Sequence, residues 1–390
     1  MGNGFSSLFI QRRSPSFSEP QSNVQCFTPC SQLCRFLFRG RIPSYLRPAK
    51  RNSRSLLRQV EEDKQNKRNA QPAVTSTVTT NQRSFNLKFR EGRSYTEGQT
   101  YLFPVDKEEA ARLIDEYYTL RAAFQCLYFV PIEEGLKSGL RVLDIGCGPG
   151  LWALQMASDY PNSEFIGIDV QSMMFPQELW PDLRMPSNLK FELVDILRGP
   201  LPYPDATFDF VHQRLMNLAI PKRQWPDVIK ELKRVTKPGG WIQLLEADIE
   251  PHPQGVTNKQ LSYKIFHAIM ARGIDPHISR RIDRLLADSQ ISDLESFIIA
   301  TPIGDWGRDI GRMLKNDGMK AMSTWRPWLC QATDTPTDEF DAMVKEVERE
   351  WEENKSNVHF HVAYGRRPLE EAITSSSGGI TVDFEPGQVD

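Results

Sequence analysis

The sequence predicts an α/β fold, with helices packed on both faces of a mostly parallel sheet. Three observations lead there. Strand-length apolar segments alternate with helical patterns along residues 141–249. The first of them, Val142-Leu-Asp-Ile145, has Val142, Leu143 and Ile145 as apolar residues suited to a strand buried on both faces. It then runs directly into Gly146-Cys-Gly-Pro-Gly150, and a glycine-rich strand-to-helix turn marks a ligand site in such folds.

The elements follow in chain order. Asp106–Gln125 reads as a helix because Leu113, Tyr117, Leu120 and Phe124 recur at helical spacing. After the first strand, the turn needs Gly146, Gly148 and Gly150 so that the backbone bends sharply and a ligand can approach where no Cβ stands. The next helix, Leu151 to about Tyr160, points its unpaired N–H groups into that turn. A second strand, Glu164–Val170, carries Asp169 at its tip, where a carboxylate can accept from both hydroxyls of a ribose. A third, Leu189–Asp195, ends in another acid, and Phe208–His212 is a fourth. Trp225, Val228, Ile229, Leu232 and Val235 form one stripe of an amphipathic helix, which Lys237-Pro-Gly-Gly240 stops. Trp241–Glu246 begins a fifth strand, and Phe297–Thr301 and Val358–Tyr364 supply two more. Residues 253–290 and 308–353 read mainly as helical connections.

Spacing separates two enzyme classes that share such a turn. A dinucleotide fingerprint is G-x-G-x-x-G, whereas here the third glycine comes one residue early. No Tyr-x-x-x-Lys follows either, which argues against a nicotinamide dehydrogenase. Together, the G-x-G-x-G turn, Asp169, Asp195 and the Lys-Pro-Gly-Gly segment resemble the class I S-adenosylmethionine-dependent methyltransferases over residues 141–249. A narrower resemblance covers about residues 91–368. Tyr95, Tyr101-Leu-Phe-Pro104, Asp106, Arg112-Leu113, Thr301-Pro-Ile-Gly304 and Trp306-Gly307 look like markers of the fungal LaeA-like methyltransferases, which are associated with secondary metabolism and its regulation.

The resemblance implies a Rossmann-like, seven-stranded, mostly parallel sheet with an antiparallel last strand. It implies S-adenosylmethionine as cofactor, with Asp144 and Gly146 near its methionine part and Cys147, Gly148 and Gly150 also binding it. Asp169 and Val170 would meet the ribose, and Asp195 and the Ile196 N–H the adenine. The helix at 106–125 would act as a lid, with Tyr101 and Arg112 reaching for the cofactor's carboxylate. The expected domain plan is a disordered, basic, Ser-rich extension over 1–90, a methyltransferase domain over 91–368 and a flexible tail over 369–390. Within the domain, 141–249 would bind the cofactor and 250–368 would complete the sheet.

Composition fits one large α/β domain with extensions, since the chain has 390 residues and a net charge of only −2. Lys and Arg in the core are mixed with Asp and Glu, so no nucleic-acid surface is expected. Six cysteines are too few for a disulfide scaffold. His359 and His361 share a strand face but lack a third ligand in sequence, so no metal site is expected. No apolar run is long enough to cross a membrane as a helix.

Charge is uneven, however: residues 1–60 carry ten Lys/Arg against the single acid Glu19. Two targeting readings compete with a plain untargeted tail. Met1-Gly-Asn-Gly-Phe-Ser6 fits an N-myristoylation pattern, and Cys26, Cys30 and Cys34 would be palmitoyl sites tethering the chain to a membrane. An Arg- and Ser-rich, acid-poor leader equally resembles a mitochondrial transit peptide. Otherwise the protein is expected in cytoplasm or nucleus.

Methyl transfer from a sulfonium asks mainly for in-line placement and helps itself to a base only when the nucleophile arrives protonated. His212 is the histidine at the carboxyl end of a central strand and is the candidate base, with a backbone-bonded structural histidine as the alternative. Arg214, Glu246 and Asp248 leave the sheet at the same end, and Arg214 suits either an acidic substrate or a structural carboxylate. Two functions follow: a methyltransferase acting on a small-molecule acceptor of secondary metabolism, and a non-catalytic regulator of the same fold working through protein partners. Intact cofactor motifs favour the first.

Overall fold

The computed structural model describes residues 9–12, 87–90, 92–96, 101–171 and 185–369. The acylation pattern at Met1–Ser6, the cysteines at 26, 30 and 34 and the tail from residue 370 lie outside them.

In chain order the strands are Phe9–Arg12 (β1), Leu87–Arg90 (β2), Arg93–Thr96 (β3), Arg141–Ile145 (β4), Glu164–Asp169 (β5), Leu189–Leu193 (β6), Phe208–Arg214 (β7), Thr236–Ala247 (β8), Ser292–Pro302 (β9) and Asn357–Arg366 (β10). The α-helices are Lys107–Phe124 (α1), Glu133–Ser138 (α2), Leu151–Asp159 (α3), Trp225–Val235 (α4), Val256–Met270 (α5), Ile282–Asp288 (α6), Arg308–Ala332 (α7) and Thr337–Glu353 (α8). The main sheet runs β1-β9-β10-β8-β7-β4-β5-β6. The pairs β7–β4, β4–β5, β5–β6 and β7–β8 are parallel, and β10 is antiparallel to both β8 and β9. The seven expected strands are therefore present with the last one reversed, and that strand inserts between its neighbours instead of lying at an edge.

Alternation along β4 divides the core into two layers. Val142 joins an apolar cluster with residues of α1, α3, α5, α7 and α8. Leu143 and Ile145 face the opposite cluster, where α4 and α6 pack. Both faces of the parallel strands are thus covered, as their apolar composition requires. The predicted stripe of α4 seats completely: Trp225, Ile229, Leu232 and Val235 are 0% exposed.

Two segments differ from expectation. β1 lies inside the stretch expected to lack structure and adds an eighth strand, antiparallel to β9 from Phe9↔Ala300 to Arg12↔Phe297. Four residues are too few for a periodic signal, and an edge strand is held by backbone pairing that side-chain pattern does not announce. The Lys237-Pro-Gly-Gly240 segment is not a free turn: it bulges within β8, since Phe208 pairs with Thr236 and Phe210 with Trp241. Lys237 Nζ meets Asp209 Oδ1 at 2.8 Å across that bulge.

Truncating Trp225 to alanine would empty a fully buried site between α4 and the sheet. Trp225→Ala should cost about 3–5 kcal/mol of unfolding free energy in a urea titration. A loss under about 1 kcal/mol would mean that the stripe is not seated on the sheet.

Candidate active site

The carboxyl ends of β4, β5, β6 and β7 open onto one cleft, the place where open α/β sheets bind ligands. It holds about 1010 Å³ of empty space, its open mouth included. The floor is the glycine turn, and the roof is α1 through Leu113, Glu116, Tyr117 and Leu120.

The turn is glycine-rich for two separate reasons. At Gly146 a Cβ would fall 2.2 Å from Met216 Sδ, so the position is closed to any side chain. Gly148 has open space around it, its nearest neighbour 3.7 Å away, but a φ of +52° that side-chain-bearing residues rarely adopt. The turn is tied to the neighbouring strand by Cys147 N–H donating to Ile168 O at 3.0 Å. Asp169 makes the second tie. Its Oδ2 accepts from Gly148 N and its Oδ1 from Gln171 N, both at 2.9 Å. Burial pushes the Asp169 carboxyl up to about 6 despite these donors. At the β6 tip, Asp195 Oδ1 accepts from Leu197 N at 3.0 Å, and Arg198 Nε lies 3.0 Å from Oδ2.

Of the residues singled out from sequence, Tyr101, Gly146, Cys147, Gly148, Asp169, Val170, Asp195 and Ile196 all border this cleft. Asp144, Gly150, Arg112 and His212 do not. Gly150 turns its backbone against the Phe191 ring, where a Cβ would meet Cζ at 2.3 Å.

His212 as a general base is corrected by its surroundings. It is 1% exposed, its Nδ1 lies 2.9 Å from Asp144 Oδ1, and its ring stacks on Trp152 at 3.8 Å. Burial lowers its pKa. Register explains the pairing, because Asp144 and His212 are direct partners on adjacent parallel strands. The two satisfy each other beneath the turn, so Asp144 is likewise held away from the cleft.

Arg112 as a carboxylate ligand is corrected in the same way. Its guanidinium donates to Glu109 Oε1 at 2.7 Å and Asp317 Oδ1 at 3.0 Å, and Glu116 Oε1 lies at 3.4 Å. Three carboxylates claim this one cation, and it latches α1 onto α7. Asp317 stands 205 positions away in the chain, so no local pattern could have announced it.

Sequence reasoning also missed the support behind the β7 tip. Glu246 is 0% exposed, and its carboxylate accepts from Met216 N at 3.1 Å and Asn217 N at 2.9 Å. Burial raises it to about 8. This fixes the segment that carries Arg214, Leu215 and Met216 along the cleft, including Leu215 with a φ of +55°.

The α1 latch has a measurable charge imbalance. Burial raises Glu109 to about 7 and raises Asp317 also. Both carboxyls titrate higher in the fold than in the unfolded chain, so the native state binds more protons. Stability from this pair is then fullest below about 4.5, the unfolded value of Glu109, and is lost as pH rises through about 7. Amide exchange across α1 should accelerate between pH 5 and pH 8, after correction for the intrinsic rate; a pH-independent corrected rate would refute the imbalance. Arg112→Leu leaves buried carboxylates uncompensated and should lower stability by about 3–5 kcal/mol.

Comparison with known proteins places a family on this geometry. Residues 142–240 match the family model described as a methyltransferase domain. The secondary metabolism regulator LAE1 of Cochliobolus heterostrophus is 27% identical over 271 residues, covering 65% of this chain and 82% of that one. The N-methyltransferase gliN of Aspergillus fumigatus is 25% identical over 281 residues, covering 69% and 96%. The secondary metabolism regulator laeA of Aspergillus fumigatus is 22% identical over 251 residues, so that this chain spans 64% of its length. Because the family match falls on the strands and turn that build the cleft, residues 142–240 form a methyltransferase domain, and the chain resembles the class I S-adenosylmethionine-dependent methyltransferases and, among them, the fungal LaeA-like proteins.

Proposed function

We propose that the chain methylates a nitrogen of a small-molecule acceptor in secondary metabolism. The observation that carries this reading is the roofed cleft itself. It gathers the glycine turn, the acid-tipped strands β5 and β6 and the α1 roof around one open cleft, where an acceptor would meet the cofactor. The similarity to gliN and to the N-methyltransferase sirN of Leptosphaeria maculans supports a nitrogen acceptor, since the shared segment spans 96% and 95% of those proteins.

The residues present fit the cofactor. Two carboxylate-tipped strands offer acceptors for a ribose diol and an adenine amino group, with the Ile196 N–H beside the second. Gly148, with no Cβ and open space above it, lets a ligand backbone lie on the turn. Bound there, the cofactor supplies a methyl group made electrophilic by a positively charged sulfur. The chain's task is to hold acceptor and methyl in line, a proximity effect of up to about 7–11 kcal/mol. Leu113, Leu120 and Tyr117 on the roof exclude water from that volume.

No histidine or lysine is among the described residues bordering the cleft. With His212 sealed beneath the turn, proton removal falls to the acceptor's own chemistry. A neutral amine, whose lone pair is free, meets that requirement. A regulator acting through protein partners is the second reading, and what favours it is the similarity to LAE1 and laeA, both named as regulators of secondary metabolism.

Methyl-labelled S-adenosylmethionine incubated with the full chain and an organic extract of fungal metabolites separates the two. Label in the low-molecular-mass fraction is expected; label confined to protein, or no transfer, would turn the reading toward the regulator. A second experiment addresses the ribose contact. Asp169→Asn should weaken S-adenosylhomocysteine binding roughly 10- to 100-fold, since hydrogen bonds to a charged group contribute about 1.5–3 kcal/mol. In the wild type, affinity should hold above pH 7 and decline as pH drops through about 6, where Asp169 takes up a proton. Calorimetric titration reads both, and unchanged affinity in Asp169→Asn would remove Asp169 from the ribose.

A further inference from the structure

The amino-acid end of the cofactor needs a cation for its carboxylate, and Arg112 is already claimed by three acids. The charged residues among those described as bordering the cleft are Glu116, Asp169, Asp195 and Arg214. Three of them repel a carboxylate, and Arg214 alone attracts one. We propose that Arg214 and the Tyr117 hydroxyl form the subsite for the cofactor's α-carboxylate.

Strand order gives the direction of the ligand. Across β7, β4, β5 and β6 the tips run from Arg214, through the glycine turn, to Asp169 and then Asp195. A ligand whose ribose lies on Asp169 and whose adenine lies on Asp195 carries its amino-acid end over the turn toward β7. Gln213 pairs with Ile145, so Arg214 follows directly beside the first residue of that turn. The guanidinium is attached to a fixed segment, since Leu215 N–H donates to Leu245 O at 2.8 Å and Glu246 holds the next two amides.

Tyr117 supplies the independent observation. It borders the cleft from the roof, is 5% exposed, and its hydroxyl is buried with no hydrogen-bond partner. A buried hydroxyl without a partner is costly in a finished structure and asks for an acceptor. The Arg214 guanidinium lies over the Tyr117 ring, 5.4 Å from its centroid, so cation and orphaned donor occupy one corner. A carboxylate is the ligand group that takes two donors of this kind at once. The roof residue would then close on the cofactor by contact with the cofactor itself.

This assignment rests on the reading of Asp169 and Asp195 as ribose and adenine contacts, and two ligands separate the failures. S-adenosylhomocysteine carries the carboxylate, whereas 5′-methylthioadenosine keeps the adenosine and lacks the amino-acid end. Calorimetric titration of the full chain and its variants with both is the experiment. Arg214→Met should weaken S-adenosylhomocysteine at least tenfold and leave methylthioadenosine unchanged, with the second ligand also reporting that the variant is folded. Tyr117→Phe should show a smaller loss, a few-fold, again for S-adenosylhomocysteine only, and Arg214→Lys should recover part of the affinity lost in Arg214→Met. Arg214→Met binding S-adenosylhomocysteine as well as wild type, or weakening both ligands equally, would overturn the subsite while leaving the ribose and adenine reading in place. Wild-type chain that binds neither ligand would overturn both.

Discussion

The site depends first on one carboxylate that works before any ligand arrives. Asp169 ends β5, yet both its oxygens are turned back to accept backbone N–H groups, one from the glycine turn and one from its own strand exit. The first of these bonds, together with Cys147 N–H donating to Ile168 O, ties the β4 turn to the β5 tip across the cleft floor, and the second fixes the β5 exit. Each oxygen keeps a lone pair, so a diol can be met without breaking the scaffold. Burial makes the arrangement expensive for the charge, and the two N–H donors offset part of that expense. The acid is therefore structural and ligand-facing at once, and a substitution there acts on both.

The rest of the site repeats this logic one layer further back. Glu246 holds the amides after β7, and Asp144 holds His212 across β4 and β7. None of these bonds reaches the cleft, but they fix the segments that do. The roof is held differently, by Arg112, which pairs with Glu109 within α1 and with Asp317 of α7. A hydrogen-bonded floor and an electrostatic roof respond differently to conditions, because ion pairs short of counter-charge shift with pH while amide–carboxylate bonds of the floor depend on one titration near 6.

What the sequence made legible follows from where each signal sits. Buried parallel strands are apolar throughout, so β4 and β5 stood out, and acids at their tips are conspicuous because the strands before them are not. The antiparallel β10 was visible as a strand, but its place between β8 and β9 is decided by pairing that no local pattern encodes. His212 and Arg112 were misread for a shared reason. A polar residue at a strand end or on a helix face looks available until its partners are known. Here the partners are Asp144 on the neighbouring strand, Trp152 beyond the turn and Asp317 in a distant helix. Arg214 was the converse case, noted as a cation with two uses and distinguished only once the remaining walls proved acidic.

A cleft without histidine constrains the chemistry more tightly than a cleft with one. Where a base borders the acceptor, alcohols, phenols and protonated amines all become usable nucleophiles, and the protein selects among them by shape. Among the described residues bordering this cleft the titratable side chains are acids with backbone or ion-pair partners, tyrosines and the Cys147 thiol raised by burial, as Tyr117 is to about 12, and Arg214. The phenols, the thiol and the guanidinium hold their protons at neutral pH, and the carboxylates already accept N–H groups of the scaffold or pair with Arg112 or Arg198. On the proposed reading, selection then falls on the acceptor's own basicity, because a nucleophile with a free lone pair needs no base in the in-line geometry. That physical filter is independent of any relative's name, and it agrees with the nitrogen chemistry those names describe.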